Sequence, residues 1–275
     1  MKMTINPKIR RILVLTAWVV TSATVFTLLG FANKRQQQLL CKDVDIRIDE
    51  TVNHEFIDQH DILDLINTKG NVKGKALGAI NTSLLEKIIL TNPYVKDAEV
   101  YSSIDGTLHA DVLQRNPIVR IVNMHDEQFY IDQEGKFMPI STHYTPPVIV
   151  ANGYLFNTYA EMKVQNQVAV VDTSSDSLAV PHMINQVYAL AKFIEADSFW
   201  TANTEQIYVT SSQELELIPR IGNHRIVVGD TSNLDDKFKR LMVFYKEGLS
   251  KTGWNNYNVI NLKFRDQVVC TKIKL

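Results

Sequence analysis

The chain has 275 residues, enough for one large domain or two modest ones, and a formal net charge of -1. This near-neutral balance provides no field for nucleic acid, and 45% hydrophobic with 21% charged residues excludes a disordered chain. Two cysteines, Cys41 and Cys270, stand near opposite ends and make neither a disulfide framework nor a metal set; they read as separate thiols, with a Cys41–Cys270 bridge as the lesser alternative because sequence does not supply its geometry.

The stretch from Ile12 to Ala32 carries no charge. At ~1.5 Å rise per residue it reaches ~30 Å, the thickness of a hydrocarbon core. It is longer than the apolar core of a cleavable signal peptide, and its exit, "NKRQQQLL", has no small-x-small site, so residues 12–32 read as an uncleaved transmembrane signal anchor. Lys2, Lys8, Arg10 and Arg11 precede the span, against Lys34 and Arg35 after it. That bias keeps the tail 1–11 in the cytoplasm. The protein then crosses the cytoplasmic (inner) membrane once, and the linker 33–43 and everything after it lie on the far side.

Val44 to Ile48 alternates and predicts a strand. Asp58 predicts the cap of a helix whose Ile62, Leu65 and Ile66 share a face. "TKGNVKGKALGAI" is a glycine-broken loop. Gly70, Gly74 and Lys75 approach a phosphate-loop pattern, but the spacing is one residue short and Ala76 replaces the magnesium-binding hydroxyl. "NTSLLEKIILTNP" predicts a second helix, with Ser83 and Glu86 as a capping box, Leu84, Leu85, Ile88 and Ile89 as its apolar stripe and Pro93 as its stop. "YVKDAEVYSS" and "TLHADVLQR" read as two strands about an "IDG" turn, and "IVRIV" as an extended linker strand.

The order strand, helix, helix, strand, strand carries a specific pattern. "NPYVKDAEV" followed by "GTLHADVLQRNPIVRI" resembles the POTRA signature of the FtsQ/DivIB cell-division family, at Asn92, Pro93, Tyr94, Val95, Ala98, Val100, Leu108, Arg115 and Pro117. The family usually has Glu where this chain has Gln114. The resemblance implies a POTRA domain over residues 44–122 and an FtsQ-type β domain over 123–275.

In the second half, "EQFYIDQEGKFMPI" predicts a hairpin bounded by Asp132 and Gly135, similar to an Asp-x-x-Gly hairpin that opens the second domain in that family. "VDTSSDS" offers Asp172 and Asp176 but lacks the glycine and distal Glu of a calcium loop, so it reads as a loop. A helix opens at Pro181, with Ile184, Val187, Tyr188, Ala191 and Ile194 on one side. "QIYVTS", "LELIPR" and "HRIVVGD" are strands. A second amphipathic helix, capped by Ser232, lines up Leu234, Phe238, Leu241, Met242 and Tyr245. "LELIPRIGNHRIVVGD" and "INLKFRDQVV" resemble stretches of Bacteroidota-type members. The chain therefore reads as α+β: a transmembrane helix, a β-α-α-β-β POTRA domain, and a mainly antiparallel β domain with two amphipathic helices.

The end of the chain has the cleanest period-two patterning. Ile260, Leu262 and Phe264 alternate with Asn261, Lys263 and Arg265. Beyond a two-residue turn at Asp266-Gln267, Val269, Thr271, Ile273 and Leu275 alternate with Cys270, Lys272 and Lys274. Phe264 either packs on the sheet with Ile260 and Leu262 or faces a partner; Lys263 and Arg265 either form a solvated face or contact one.

No chemistry-bearing motif is present. The seven histidines make no metal spacing, and neither a G-x-S-x-G elbow nor an S-x-x-K motif occurs. No catalytic, cofactor or metal-binding residue is assigned. The resemblance implies a non-enzymatic scaffold of the divisome, at the septum, that binds FtsB- and FtsL-like single-span coiled-coil proteins and other divisome proteins and regulates septal peptidoglycan synthesis, without nucleic acid, cofactor or small-molecule substrate. It places the contact set at Lys263, Phe264, Arg265, Asp266, Gln267 and Val268. Phe264 stands where many members have Tyr and Gln267 where many have Gly; Lys272 occupies the place of a contact tryptophan in some. The alternatives are a signal-anchored enzyme acting on cell wall and a POTRA protein of a translocation system; the anchor and the two later helices speak against the second.

Overall fold

The computed structural model describes residues 16–25, 27, 38–49, 55–68, 70–165 and 183–273. Residues 16–25 and 27 are helical. The rest of the predicted span 12–32, the tail 1–11, part of the linker and the loop holding Asp172 and Asp176 lie outside the described residues. Among the described residues no helix is long and apolar enough to cross a membrane. Two compact units divide in sequence between Gln114 and Arg115, with Phe56 counted in the second.

The first unit contains β1 (Asp43–Ile48), α1 (Gln59–Asn67), a 3-10 turn at Leu77–Ala79, α2 (Thr82–Ile89), β2 (Val95–Ser102) and β3 (Thr107–Gln114). The sheet order is β1-β3-β2, with β1 parallel and β2 antiparallel to the central β3. Alternation along β3 buries Leu108, Ala110 and Val112 and turns His109 and Asp111 to the other face. The buried strand residues join Ile62 and Ile66 of α1 and Leu85 and Ile89 of α2 in one apolar cluster.

Asp58 caps α1 as expected, in a reciprocal box with Asp61: each carboxylate accepts the other's backbone N–H. The expected box at Ser83 and Glu86 is corrected. Asn81 is the cap, its side-chain oxygen accepting the Leu84 N–H at 3.0 Å. Glu86 instead reaches β2, where it accepts the Val100 N–H at 3.0 Å. The glycine-broken loop is also more ordered than its composition suggests. Val72 and Leu77 are buried, and backbone bonds tie it to Leu39 and Cys41.

The second unit holds β4 (Pro117–Val122), β5 (Gln128–Asp132), β6 (Phe137–Pro139), β7 (Ile149–Gly153), α3 (Tyr159–Gln165), α4 (Met183–Glu195), α5 (Ser198–Asn203), β8 (Thr204–Val209), β9 (Leu215–Pro219), β10 (Arg225–Gly229), α6 (Leu234–Val243), a π-helical continuation Phe244–Leu249, α7 (Ser250–Thr252), β11 (Tyr257–Asn261) and β12 (Val269–Lys272). Its nine strands lie in the order β12-β11-β10-β9-β8-β7-β4-β5-β6. Five pairings are antiparallel, and the three parallel ones (β4–β7, β7–β8, β10–β11) are those whose strands are joined through longer connections. "IVRIV", read as a linker strand, is β4, an interior strand between β7 and β5.

Apolar residues of α4 and α6 pack with the sheet in a single core. Ile184, Val187, Ala191 and Ile194 meet Phe238 and Leu241 there. The Phe238 ring lies between Phe193 and Trp200, at centroid distances of 4.8 and 4.9 Å. Gly153 ends β7 at φ +96°, where a Cβ would lie 2.2 Å from the Val209 carbonyl oxygen. The Ser232 cap is corrected: its N–H and hydroxyl both donate to Asp230, and Asn233, at φ 52°, precedes α6 without a side-chain bond.

Candidate functional site

The final strands diverge from the sequence expectation in one instructive way. Alternation holds through Ile260, which is buried, but β11 ends at Asn261. Leu262 is buried; Lys263 to Val268 form a connection rather than strand, turning at Arg265-Asp266 with Asp266 at φ 57°. The expected two-residue turn at Asp266-Gln267 is thereby corrected. Phe264 leaves the core face and is 46% exposed.

One side chain on α6 reaches this connection at three points. Arg240, on α6, is only 17% exposed, and its Nε donates to Asp236 Oδ2 at 3.0 Å, one helical turn earlier. Its Nη1 donates to the carbonyls of Phe264 at 2.8 Å and Gln267 at 2.5 Å, and its Nη2 to that of Leu262 at 3.3 Å. Leu262 turns its N–H to the Val227 carbonyl of β10 at 2.9 Å, and the Lys263 N–H goes to Asn261 Oδ1 at 3.0 Å, so the guanidinium supplies donors to carbonyls that the β11–β12 ladder does not use. Sequence reading placed Arg240 merely within an amphipathic helix. The Asp236-Arg240 spacing, i and i+4, was the available signal.

Of the expected contact residues, Lys263 is the best anchored. Its Nζ bonds Glu214 Oε1 at 2.6 Å and its stem lies over Gly229, where a Cβ would come within 2.8 Å of the Lys263 Cγ and Cδ. Arg265 and Asp266 approach each other at 3.6 Å, both in solvent. Gln267 is exposed, and Val268 packs against the core. A cleft of about 650 Å³ beside the connection is lined by Glu214, Asp230, Lys237, Arg240, Lys263 and neighbours. Lys237 donates to Asp230 at 2.8 Å. Burial opposes the Asp230 charge, yet Lys237 and Ser232 hold its pKa down to about 2.

β12 is an edge strand. Ile273 donates its N–H to the Asn256 carbonyl at 3.1 Å, on the β11 side. By alternation Thr271 and Val269 also turn their backbone groups to β11, while Cys270 and Lys272 turn theirs outward. Among the described residues no strand pairs with that outer side. The opposite edge, β6, has three residues and carries Pro139, which blunts it. On the first unit's sheet, the Val100 N–H of edge strand β2 is already taken by Glu86. Cys270 is half-buried, and burial pushes its thiol pKa up, which disfavours the thiolate. Cys41 and Cys270 are both free. Among the described residues no group of three or more His, Cys, Asp or Glu could hold a metal ion.

A profile described as FtsQ/DivIB, C-terminal related, matches residues 116–271, more than half of the chain. The chain belongs to the FtsQ/DivIB family. A POTRA-like domain profile matches residues 39–123, so the two FtsQ/DivIB-type modules overlap on β4. No curated protein matches the chain. Membership makes this a cell-division protein of a non-enzymatic scaffold family whose members engage other divisome proteins. The expected family, the α+β class and the POTRA-like first module stand.

Proposed function

We propose that the chain is a single-pass, membrane-anchored scaffold of the divisome whose outer β12 edge accepts a strand from an FtsB-like coiled-coil protein, alone or with an FtsL-like one, and so regulates septal peptidoglycan synthesis. The observation that carries this reading is the outward-facing backbone of Cys270 and Lys272 on an edge that no described strand covers. Strand addition draws affinity from such backbone groups and selectivity from the flanking side chains. Val269 and Ile273 supply exposed apolar surface beside that edge, and Lys272 supplies positive charge suited to an acidic segment, which Lys263 and Arg265 reinforce only by giving up their pairs with Glu214 and Asp266. The charge-free stretch 12–32 is proposed as the anchor, with residues 33–275 outside the cytoplasm.

The test uses the full chain co-expressed with the FtsB-like protein of the same cell. Lys272→Pro removes one outward N–H while leaving the inward groups of β12 in place. Capture should fall about tenfold or more. Lys272→Ala should bind nearly as the parent does, and Phe264→Ala and Lys263→Glu should weaken capture without unfolding the protein. Undiminished capture by Lys272→Pro would refute the edge as the docking site. Depletion should leave unseparated cells; normal septation would count against the divisome role.

A further inference from the structure

We infer that Arg240 is a positioning residue of the docking edge: from α6 it fixes the β11–β12 connection, so that β12 is presented in one register, without itself touching the incoming strand. The inference rests on the reading of β12 as that edge.

Lys263, paired with Glu214 and with its N–H on Asn261 Oδ1, and Val268, packed on the core, anchor the two ends of the connection; the stretch between them lacks such side-chain anchors. Phe264, Arg265, Asp266 and Gln267 are exposed, and the one ion pair among them, Arg265 with Asp266, lies in solvent. Order therefore comes through the backbone. The carbonyls that Arg240 holds bracket the segment: Leu262 where the chain leaves β11, Phe264 in the connection and Gln267 just before β12. β12 itself spans Val269–Lys272 and, among the described residues, pairs with β11 alone. A strand that short takes its register from its turn. Fixing the segment before a partner arrives removes an ordering cost that would otherwise oppose binding.

Lysine cannot replace this side chain. A guanidinium presents five N–H donors in a planar fork, and Arg240 aims them at Asp236 and three carbonyls. An ammonium is a point with three donors and cannot span the same set. Arg240→Lys keeps the charge and most of the stem, so it separates positioning from simple electrostatics and bulk packing.

The experiment measures binding of the FtsB-like extracytoplasmic segment to the full chain in parallel with amide hydrogen exchange. Arg240→Lys should weaken binding about tenfold, speed exchange across Leu262–Val269 alone, and leave the melting temperature within about 3 °C. Asp236→Ala, which frees the guanidinium from its helix, should move both readouts the same way by a smaller factor. Wild-type affinity in Arg240→Lys, or unchanged exchange in the connection, overturns the inference. Loss of binding in Lys272→Pro together with wild-type binding in Arg240→Lys refutes this role and leaves the edge standing. Full binding by Lys272→Pro refutes the edge, and the inference falls with it.

Discussion

Arg115→Ala should destabilise the second unit through a charge far from the docking edge. Asp132 is 0% exposed; its Oδ1 accepts the N–H groups of Glu134 at 3.0 Å and Lys136 at 2.7 Å, and its Oδ2 takes Arg115 Nη1 at 2.8 Å. Breaking a buried pair by deleting one partner costs about 3–5 kcal/mol. Two backbone donors stay and the Arg115 side chain is 18% exposed, so the low end applies, about 3 kcal/mol at neutral pH. For a unit of this size that is a fall of about 6–12 °C in melting temperature. Burial already raises the Asp132 pKa, with Arg115 pulling against it, so removing Arg115 raises it further. A carboxyl whose folded pKa lies above the unfolded value favours the native state fully below the ordinary aspartate value of 3.8, and that contribution is lost as pH rises through the folded pKa. The deficit of Arg115→Ala should therefore be small near pH 4 and grow toward pH 7. Denaturant unfolding read by tryptophan fluorescence, with Trp200 buried in this unit, measures it. A deficit under about 1 kcal/mol at pH 7, or one unchanged in an Asp132→Asn background, would refute the argument.

Three further outcomes follow from the same core. Phe238→Ala empties a site that is 2% exposed between Phe193 and Trp200 and should cost about 3–5 kcal/mol by denaturant midpoint, with Phe238→Leu costing less. Gly153→Ala places a methyl against the Val209 carbonyl at a left-handed φ and should lower stability by about 2 kcal/mol or more in thermal unfolding. His224 is buried, with Nε2 3.1 Å from the Tyr245 hydroxyl; burial lowers its pKa, and the Trp254 carbonyl offsets part of that. Such a histidine stabilises fully above the ordinary histidine value of 6.5, and the stability is lost as pH falls from there through the folded pKa, so the denaturant midpoint should drop between pH 7.5 and 5.5. His224→Gln should flatten that dependence.

Much of the architecture was legible because it is local. Alternation in β3 and helical spacing in α1, α4 and α6 each follow from which residues must leave water, and the Asp58 cap satisfies donors a few bonds away. The same locality carried the family resemblance, since its marks sit at turns and core positions. Where a polar partner came from another element, sequence reading failed. Glu86 is spaced to cap its own helix, yet it serves Val100 on β2. Ser232 precedes α6 but is engaged by Asp230. Arg115 and the Asp132 hairpin looked like separate signatures, and only the fold joins them in one buried pair.

The last strand divides the two kinds of information most sharply. Sequence by itself determined that two apolar-alternating runs close the chain, because period two is imposed by the pleat. It could not say that alternation stops at Asn261, that Phe264 turns to solvent, or that β12 lies at the sheet's edge. Those were decided in three dimensions: by a guanidinium on α6 that meets three carbonyls of the connection, and by a strand order that sets β12 outside β11 with no described strand beyond it. Hydrogen-bond partners far apart along the chain, and a strand's place in a sheet, depend on which elements meet, and residue spacing does not encode that.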